Sequence, residues 1–287
     1  MLRAVGPVED RPVEASANGA ADEFPIWQAA ALGVLHGPAE LLPISSSGHV
    51  AVVPWLAGRR YRRLDHELRK AFEVALHTGT AAALLISLRG EVEEAVRGLS
   101  LRRLMLIGLS FAPAAVIGYR FERPIEQHFG TPPTVAGGLF VGAVAMALSD
   151  RSPQERGSEE AGFWDSLSLG LAQACSLVPG VSRNGATLAA ARWRRFTRVD
   201  ANRLSRHAAL PIIAGATLLK GMRLRARGLP PGAAVPFAAG AAAAFVSTLA
   251  STRLIRALER DSSLLPYALY RIALAGLIVR RLARENA

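Results

Sequence analysis

Two short polar segments interrupt otherwise apolar stretches of this chain, and together they hold the groups that could act on a phosphate. The first, residues 37–49, carries Glu40, then Ser45, Ser46 and Ser47 behind Pro43, then Gly48 and His49. An ionisable side chain among apolar neighbours costs roughly 2.5 kcal/mol or more on membrane-insertion scales, so Glu40 is a site candidate by default. The plainer alternative is a carboxylate at a helix end or an interface, paired with an arginine. A serine after a proline commonly caps a helix, which accounts for one of the three. Three in a row, with His49 three positions beyond Ser46, offer more. One helical turn brings Ser46 and His49 to the same face, where the imidazole could take the serine proton or donate one to a leaving oxygen.

The second segment reads Pro179-Gly180-Val181-Ser182-Arg183-Asn184-Gly185. Its glycines permit a tight turn, and the residues from Ala186 to Ala191 start a helix whose N–H groups would face an anion. Arg183 adds a two-pronged donor suited to phosphate. A carboxylate, hydroxyls, an imidazole and a guanidinium form a set suited to phosphoryl transfer, where positioning and electrostatic stabilisation supply most of the rate. Glu40 could also hold Mg2+ or Ca2+, both hard cations that prefer oxygen ligands. Glu73 and His77, one turn apart in the next apolar stretch, could pair behind the site, although His77 reads more simply as a packing histidine.

These segments need elements to position them. The chain has 287 residues, 51% of them hydrophobic and only 6% aromatic, with mean hydropathy +0.23. Ala, Gly and Leu dominate the apolar share, which suits closely packed membrane helices. Apolar stretches near 71–88, 104–121, 132–149, 207–222, 232–252 and 263–279 each approach the length that spans a bilayer. The formal net charge is +11, almost all from arginine, since Lys70 and Lys220 are the sole lysines. The arginines cluster between apolar stretches (Arg59, Arg60, Arg62 and Arg63; Arg192, Arg194 and Arg195; Arg223, Arg225 and Arg227), as in membrane-flanking loops. With no nucleic-acid-reading motif beside them, they do not describe a DNA or RNA binder. Charge on the two sides nearly balances, so orientation is not readable. The single cysteine, Cys175, excludes a disulfide framework and is expected to pack as a small buried residue. Trp27, Trp55, Trp164 and Trp193 fit interfacial anchors. Residues 1–23 lack the pattern of a signal peptide and read as a disordered tail, leaving 24–287 as a single membrane domain.

The two polar segments lie within residues 26–56 and 163–191, each about half a span on either side of a break. Polar backbone at membrane depth is tolerated where protein or a water-filled cavity satisfies it, so both read as re-entrant helix pairs. A shift of 137 positions pairs Leu32 with Leu169, Gly33 with Gly170, Ser45 with Ser182 and Gly48 with Gly185, and sets His36 opposite Gln173. Each copy is followed by about three spans. The copies, near 26–149 and 163–280, must therefore run in opposite senses, giving an inverted-topology repeat with its site near the midplane. The expected fold is an all-α integral membrane protein with about six transmembrane helices and two re-entrant pairs.

The segments GPAELLPISSSGH (37–49) and SLGLAQACSLVPGVSRNGAT (168–187) resemble the BacA-type undecaprenyl-pyrophosphate phosphatases of bacterial membranes. FEVALHTGT (72–80), APAAVIG (112–118) and LSRHAALPIIAGATLL (204–219) are similar as well. The resemblance runs from about Phe24 to the C-terminal helix. It implies a multi-pass protein of the inner (plasma) membrane that hydrolyses the C55 lipid pyrophosphate to the monophosphate with a divalent cation. That reaction recycles the carrier for peptidoglycan synthesis and confers bacitracin resistance. By position, the resemblance implies Ser46 as nucleophile, His49 for proton transfer, Arg183 for phosphate, and Glu40 as metal ligand or acid/base. Ser45, Ser182 and Asn184 match positions lining the phosphate site, with Ser47 and Gly180 among the expected substrate contacts. Gln173 and Glu73 would stand behind them. The first motif usually opens with Glu or Gln where this chain has His36. Imidazole is a poor partner for Mg2+ or Ca2+, so altered metal preference or reduced activity is expected, with His36 contacting phosphate or orienting Glu40. A homodimer is compatible with such a chain. Two other readings are a lipid-phosphate or anion transporter (flippase) of the same architecture, and an acid-phosphatase-type lipid phosphatase, most of whose motif is missing.

Overall fold

The computed structural model describes residues 24–58, 66–98, 100–229, 232–252, 254 and 262–285; the expected tail (1–23) and the Arg59–Arg63 cluster fall outside them. The described residues form eleven α-helices and no β-strand. In chain order they are α1 (Ile26–Leu41), α2 (Ser46–Leu56), α3 (His66–Ser87), α4 (Arg89–Arg97), α5 (Leu101–Phe129), α6 (Pro132–Ser149), α7 (Phe163–Cys175), α8 (Arg183–Trp193), α9 (Arg198–Arg227), α10 (Ala234–Ala250) and α11 (Leu265–Glu285). The two interrupted stretches are helix pairs, α1–α2 and α7–α8. The six apolar stretches fall on α3, α5, α6, α9, α10 and α11.

Two of these, Leu101–Phe121 within α5 and Pro132–Ser149, are long and apolar enough to cross a membrane. Only 11% of the α5 window is buried, unlike the core helix of a soluble protein. Leu104, Met105, Val116, Phe140, Val141, Val246, Leu269 and Leu277 likewise point outward. Helix α9 is longer than its apolar centre, because helix-favouring arginines and alanines extend it through the expected loop at 223–227.

The two broken pairs pack in similar ways. Helix α1 lies mainly on α10, and α7 mainly on α5, so each broken pair leans on a helix of the other copy. Matched glycines permit both contacts. A side chain on Gly33 would run into the Gly240 carbonyl of α10, and one on Gly170 into the Leu109 carbonyl and Pro113 of α5. Between the copies, α3 packs on α9 and α6 on α11. One core cluster joins Phe24, Phe72 and Phe237, whose rings meet edge-on at 4.7 and 5.3 Å. Another gathers Met146, Leu188, Phe196 and Leu264.

Three expectations need correction. Cys175 is exposed, because it ends α7 on the side away from the core. Trp27, Trp164 and Trp193 are exposed as anchors should be, but Trp55 is buried against Val135, Leu139 and Ile278. Arg192 is also buried, since its guanidinium closes the end of α8 by donating to the Phe196 and Ser152 carbonyls.

Candidate active site

Each polar break ends in a serine with left-handed backbone, Ser45 at φ 77° and Ser182 at φ 68°. That region costs a non-glycine residue about 1–3 kcal/mol and persists where the surroundings fix it. Here the fixing contact is the same in both copies. Ser45 Oγ accepts from the Gly48 N–H at 3.3 Å, and Ser182 Oγ from the Gly185 N–H at 3.2 Å. Both serines therefore cap the helices that follow them, while still bordering the cavity between the breaks. The next two residues of each helix, Ser46 and Ser47 on α2 and Arg183 and Asn184 on α8, line that cavity too. Two positive helix ends thus meet at one space.

Glu40 joins the breaks. Its Oε2 accepts from Ser46 Oγ at 2.5 Å, and its Oε1 from Arg183 Nη2 at 2.9 Å. The pair is nearly sheltered from solvent, with side-chain exposure of 9% for Glu40 and 19% for Arg183. Asn184 adds a second crossing, donating to the Leu41 carbonyl at 2.8 Å and accepting from Ser205 at 3.0 Å. The plainer reading of Glu40 and the chemical one thus coincide. The carboxylate is paired with an arginine, and it also accepts from the Ser46 hydroxyl, which it could deprotonate.

His49 stands elsewhere. Its Nδ1 lies 2.7 Å from the Ser45 carbonyl and its Nε2 lies 2.8 Å from the Tyr270 hydroxyl, with the two rings stacked. Helical spacing does put His49 one turn after Ser46, but the ring turns toward α11. The basic group beside Ser46 is Glu40.

Gly180, at φ 96°, presses on α6, where a side chain would meet the Val135 carbonyl. Its peptide contributes to the site through its own carbonyl, which accepts from Arg271. Gln173 borders the cavity and donates to the Ser110 and Ala208 carbonyls. Glu73 and His77 also border it. The His77 ring packs edge-on against that of His36 at 4.6 Å. His36 itself is buried, one turn before Glu40, with Nδ1 2.9 Å from Thr80 Oγ1.

Arg271 was missed in the sequence, yet it is fully buried beside the breaks. Its guanidinium donates to the Gly180 and Val181 carbonyls at 2.9 and 2.8 Å, and to Pro43 and Gly138 at 3.4 and 3.3 Å. One side chain therefore ties both breaks to α6. The signal was available: an arginine inside an apolar stretch of spanning length marks a site by the same rule applied to Glu40.

The cavity measures about 540 Å³. Its lining combines Glu40, Ser46, Ser47, Arg183 and Asn184 with apolar side chains of α5 and α9, Phe111, Ala115, Ile212 and Leu219. Such a space takes a ligand with a charged head and an apolar tail. A hard cation fits the polar groups poorly. The groups that stand beside Glu40 as further ligands are two imidazoles, His36 and His77. Mg2+ and Ca2+ favour oxygen ligands.

Comparison with known proteins follows the same line. Residues 29–277 match the family model of bacitracin resistance protein BacA. An undecaprenyl-diphosphatase of Geobacter sulfurreducens is 37% identical over 267 residues, covering 88% of this chain and 97% of that protein. Undecaprenyl-diphosphatases of Rubrobacter xylanophilus and Thermomicrobium roseum are 35% and 36% identical, each over 88% of this chain and 97% and 96% of their own lengths.

Proposed function

Since this chain belongs to the BacA family, a membrane-associated family, we propose that it hydrolyses undecaprenyl pyrophosphate to undecaprenyl phosphate and inorganic phosphate. The reaction returns the lipid carrier to cell-wall synthesis and confers bacitracin resistance. The observation that carries the mechanism is Glu40 bridging Ser46 and Arg183 across the two breaks.

The terminal phosphate of the lipid enters between the two helix ends, where Arg183 and the backbone N–H groups at the starts of α2 and α8 offset its charge. Ser46 Oγ attacks the terminal phosphorus as its proton passes to Glu40. The Oγ–P bond forms while the bridging P–O bond breaks, and undecaprenyl phosphate leaves with the bridging oxygen. Water then attacks the phosphoserine as the Oγ–P bond breaks; Glu40 returns its proton to Ser46 Oγ, and inorganic phosphate departs with the water's oxygen and protons. Arg183 faces the oxygens on which charge builds in both steps. His49 acts through its hold on the Ser45 carbonyl, keeping the capped turn in place. Asn184, Ser47 and Ser182 supply further polar atoms at the cavity edge, and the apolar walls accept the start of the prenyl chain. A single chain holds all of these groups.

The architecture proposed with this activity is one inner-membrane domain spanning 24–287. Helices α3, α5, α6, α9, α10 and α11 cross the bilayer, and α1–α2 and α7–α8 enter and return. Support comes from the outward apolar side chains, the matched packing of the two halves and the buried polar breaks.

Phosphate release by purified protein from undecaprenyl pyrophosphate tests the reading. Wild type should turn over and Ser46→Ala should fall to background while still binding the lipid. Lipid transport in vesicles by a Ser46→Ala variant that never released phosphate as wild type would sink it.

A further inference from the structure

A His36 ring nitrogen, a Glu40 oxygen and a His77 nitrogen all lie within 4.8 Å of one another, with Glu40 and His77 bordering the cavity. We infer that these three residues form a binding site for a borderline first-row divalent ion of the Zn2+, Co2+ or Fe2+ class, in place of a hard Mg2+ or Ca2+ site. The inference deepens the proposed function, because such an ion would supply a Lewis acid beside the pyrophosphate.

Three features support it. First, two imidazoles and one carboxylate are the donor set that selects such ions, whereas Mg2+ and Ca2+ call for oxygen. Second, the elements hold the donors together. His36 and Glu40 are one turn apart on α1, and α3 brings His77 to the His36 ring at 4.6 Å. Ligand atoms about 2.1 Å from a tetrahedral ion stand roughly 3.4 Å apart, so a spacing within 4.8 Å has little more than an ångström to close, and each Glu40 oxygen keeps a second lone pair beside the bond it accepts. Third, the ligand most deeply placed is already oriented. His36 Nδ1 lies 2.9 Å from Thr80 Oγ1, and the tautomer that donates there leaves the Nε2 lone pair for an ion. Thr80 is buried beside Thr248 of α10, so the partner that sets the tautomer is itself fixed.

The test uses the full chain in detergent, stripped with chelator and titrated with Co2+ while visible absorption is followed. One equivalent should bind with the intense bands of a nitrogen-containing, low-coordinate site, and Zn2+ should displace it while Mg2+ and Ca2+ should not. His36→Gln and His77→Gln should each weaken binding at least about tenfold. His36→Glu should abolish the intense bands and shift preference toward Mg2+ or Ca2+; it also serves if His36→Gln does not fold. No Co2+ uptake by wild type, or uptake unchanged by the substitutions at both histidines, overturns the inference. Phosphate release assayed on the same samples separates the two ideas. Turnover without Co2+ or Zn2+ binding removes the ion site and leaves the phosphatase, whereas binding without turnover does the reverse.

Discussion

Arg271 donates to the Val181 carbonyl at 2.8 Å, so a guanidinium on the last helix closes the turn that presents Arg183. The same side chain reaches Pro43 at the other break and Gly138 on α6. Arg271→Met keeps bulk and removes every donor. Loss of about 2–5 kcal/mol is expected, because several buried carbonyls lose a charged donor at once. Thermal unfolding in detergent should show it, and Arg271→Lys should recover little, since an ammonium cannot fork between two loops. A melting temperature unchanged in Arg271→Met would contradict the bracing role.

Glu40 and Ser46 should behave as one unit. Glu40→Gln and Ser46→Ala are each expected to lower the rate of phosphate release by about 10²–10⁴-fold. The double variant should fall no further than the worse single, within about tenfold, because the base has no purpose without the hydroxyl. Multiplying effects in the kinetic cycle would separate the two residues.

His49 and Tyr270 supply a contrast. If the imidazole steadies the turn by its bonds to Ser45 and Tyr270, Tyr270→Phe should slow phosphate release less than tenfold and cost about 0.5–1.5 kcal/mol of stability. A His49→Asn variant that folds with wild-type melting temperature yet releases no phosphate would instead assign the ring to proton transfer.

Asp150, in the connection after α6, gives a pH dependence. Burial pushes its carboxyl up, but hydrogen bonds from Arg198 and Ser263, the Arg198 charge and the Leu264 N–H together hold it below the usual carboxylate range. A carboxylate depressed on folding stabilises the protein above its unfolded pKa, about 3.9, and that stability is lost as pH falls through the lower folded value. Melting temperature should therefore drop on acidification below about pH 4, and Asp150→Asn should remove this share of the drop. An Asp150→Asn protein as stable as wild type at neutral pH would contradict it.

Much of this site was readable because cost marks it. Glu40 and Arg183 are expensive in apolar surroundings, and Ser45 and Ser182 fall in register in a repeat that places them at equivalent caps. What escaped depends on contacts between distant segments. The sequence puts His49 beside Ser46, but only the position of α11 gives its ring Tyr270 as partner. Likewise only the placement of α3 against α1 gives the His77 ring its neighbour, His36. Arg271 differs: its stretch reads as a span by length and hydropathy, which one arginine within it does not alter. The six apolar stretches placed six helices, yet their ends moved where arginine-rich segments stayed helical, as at the end of α9.

The exchange of partners between the two halves has a consequence for synthesis. Helix α1 rests on α10, so Gly33 leaves the ribosome long before Gly240 exists to meet it. At typical elongation rates that wait is roughly ten to forty seconds. During it, an unsupported helix pair with a buried-type carboxylate and three serines must be sheltered by something other than its final neighbour. Either half made alone would keep that need unmet, so the two halves are expected to form one obligate unit in biogenesis.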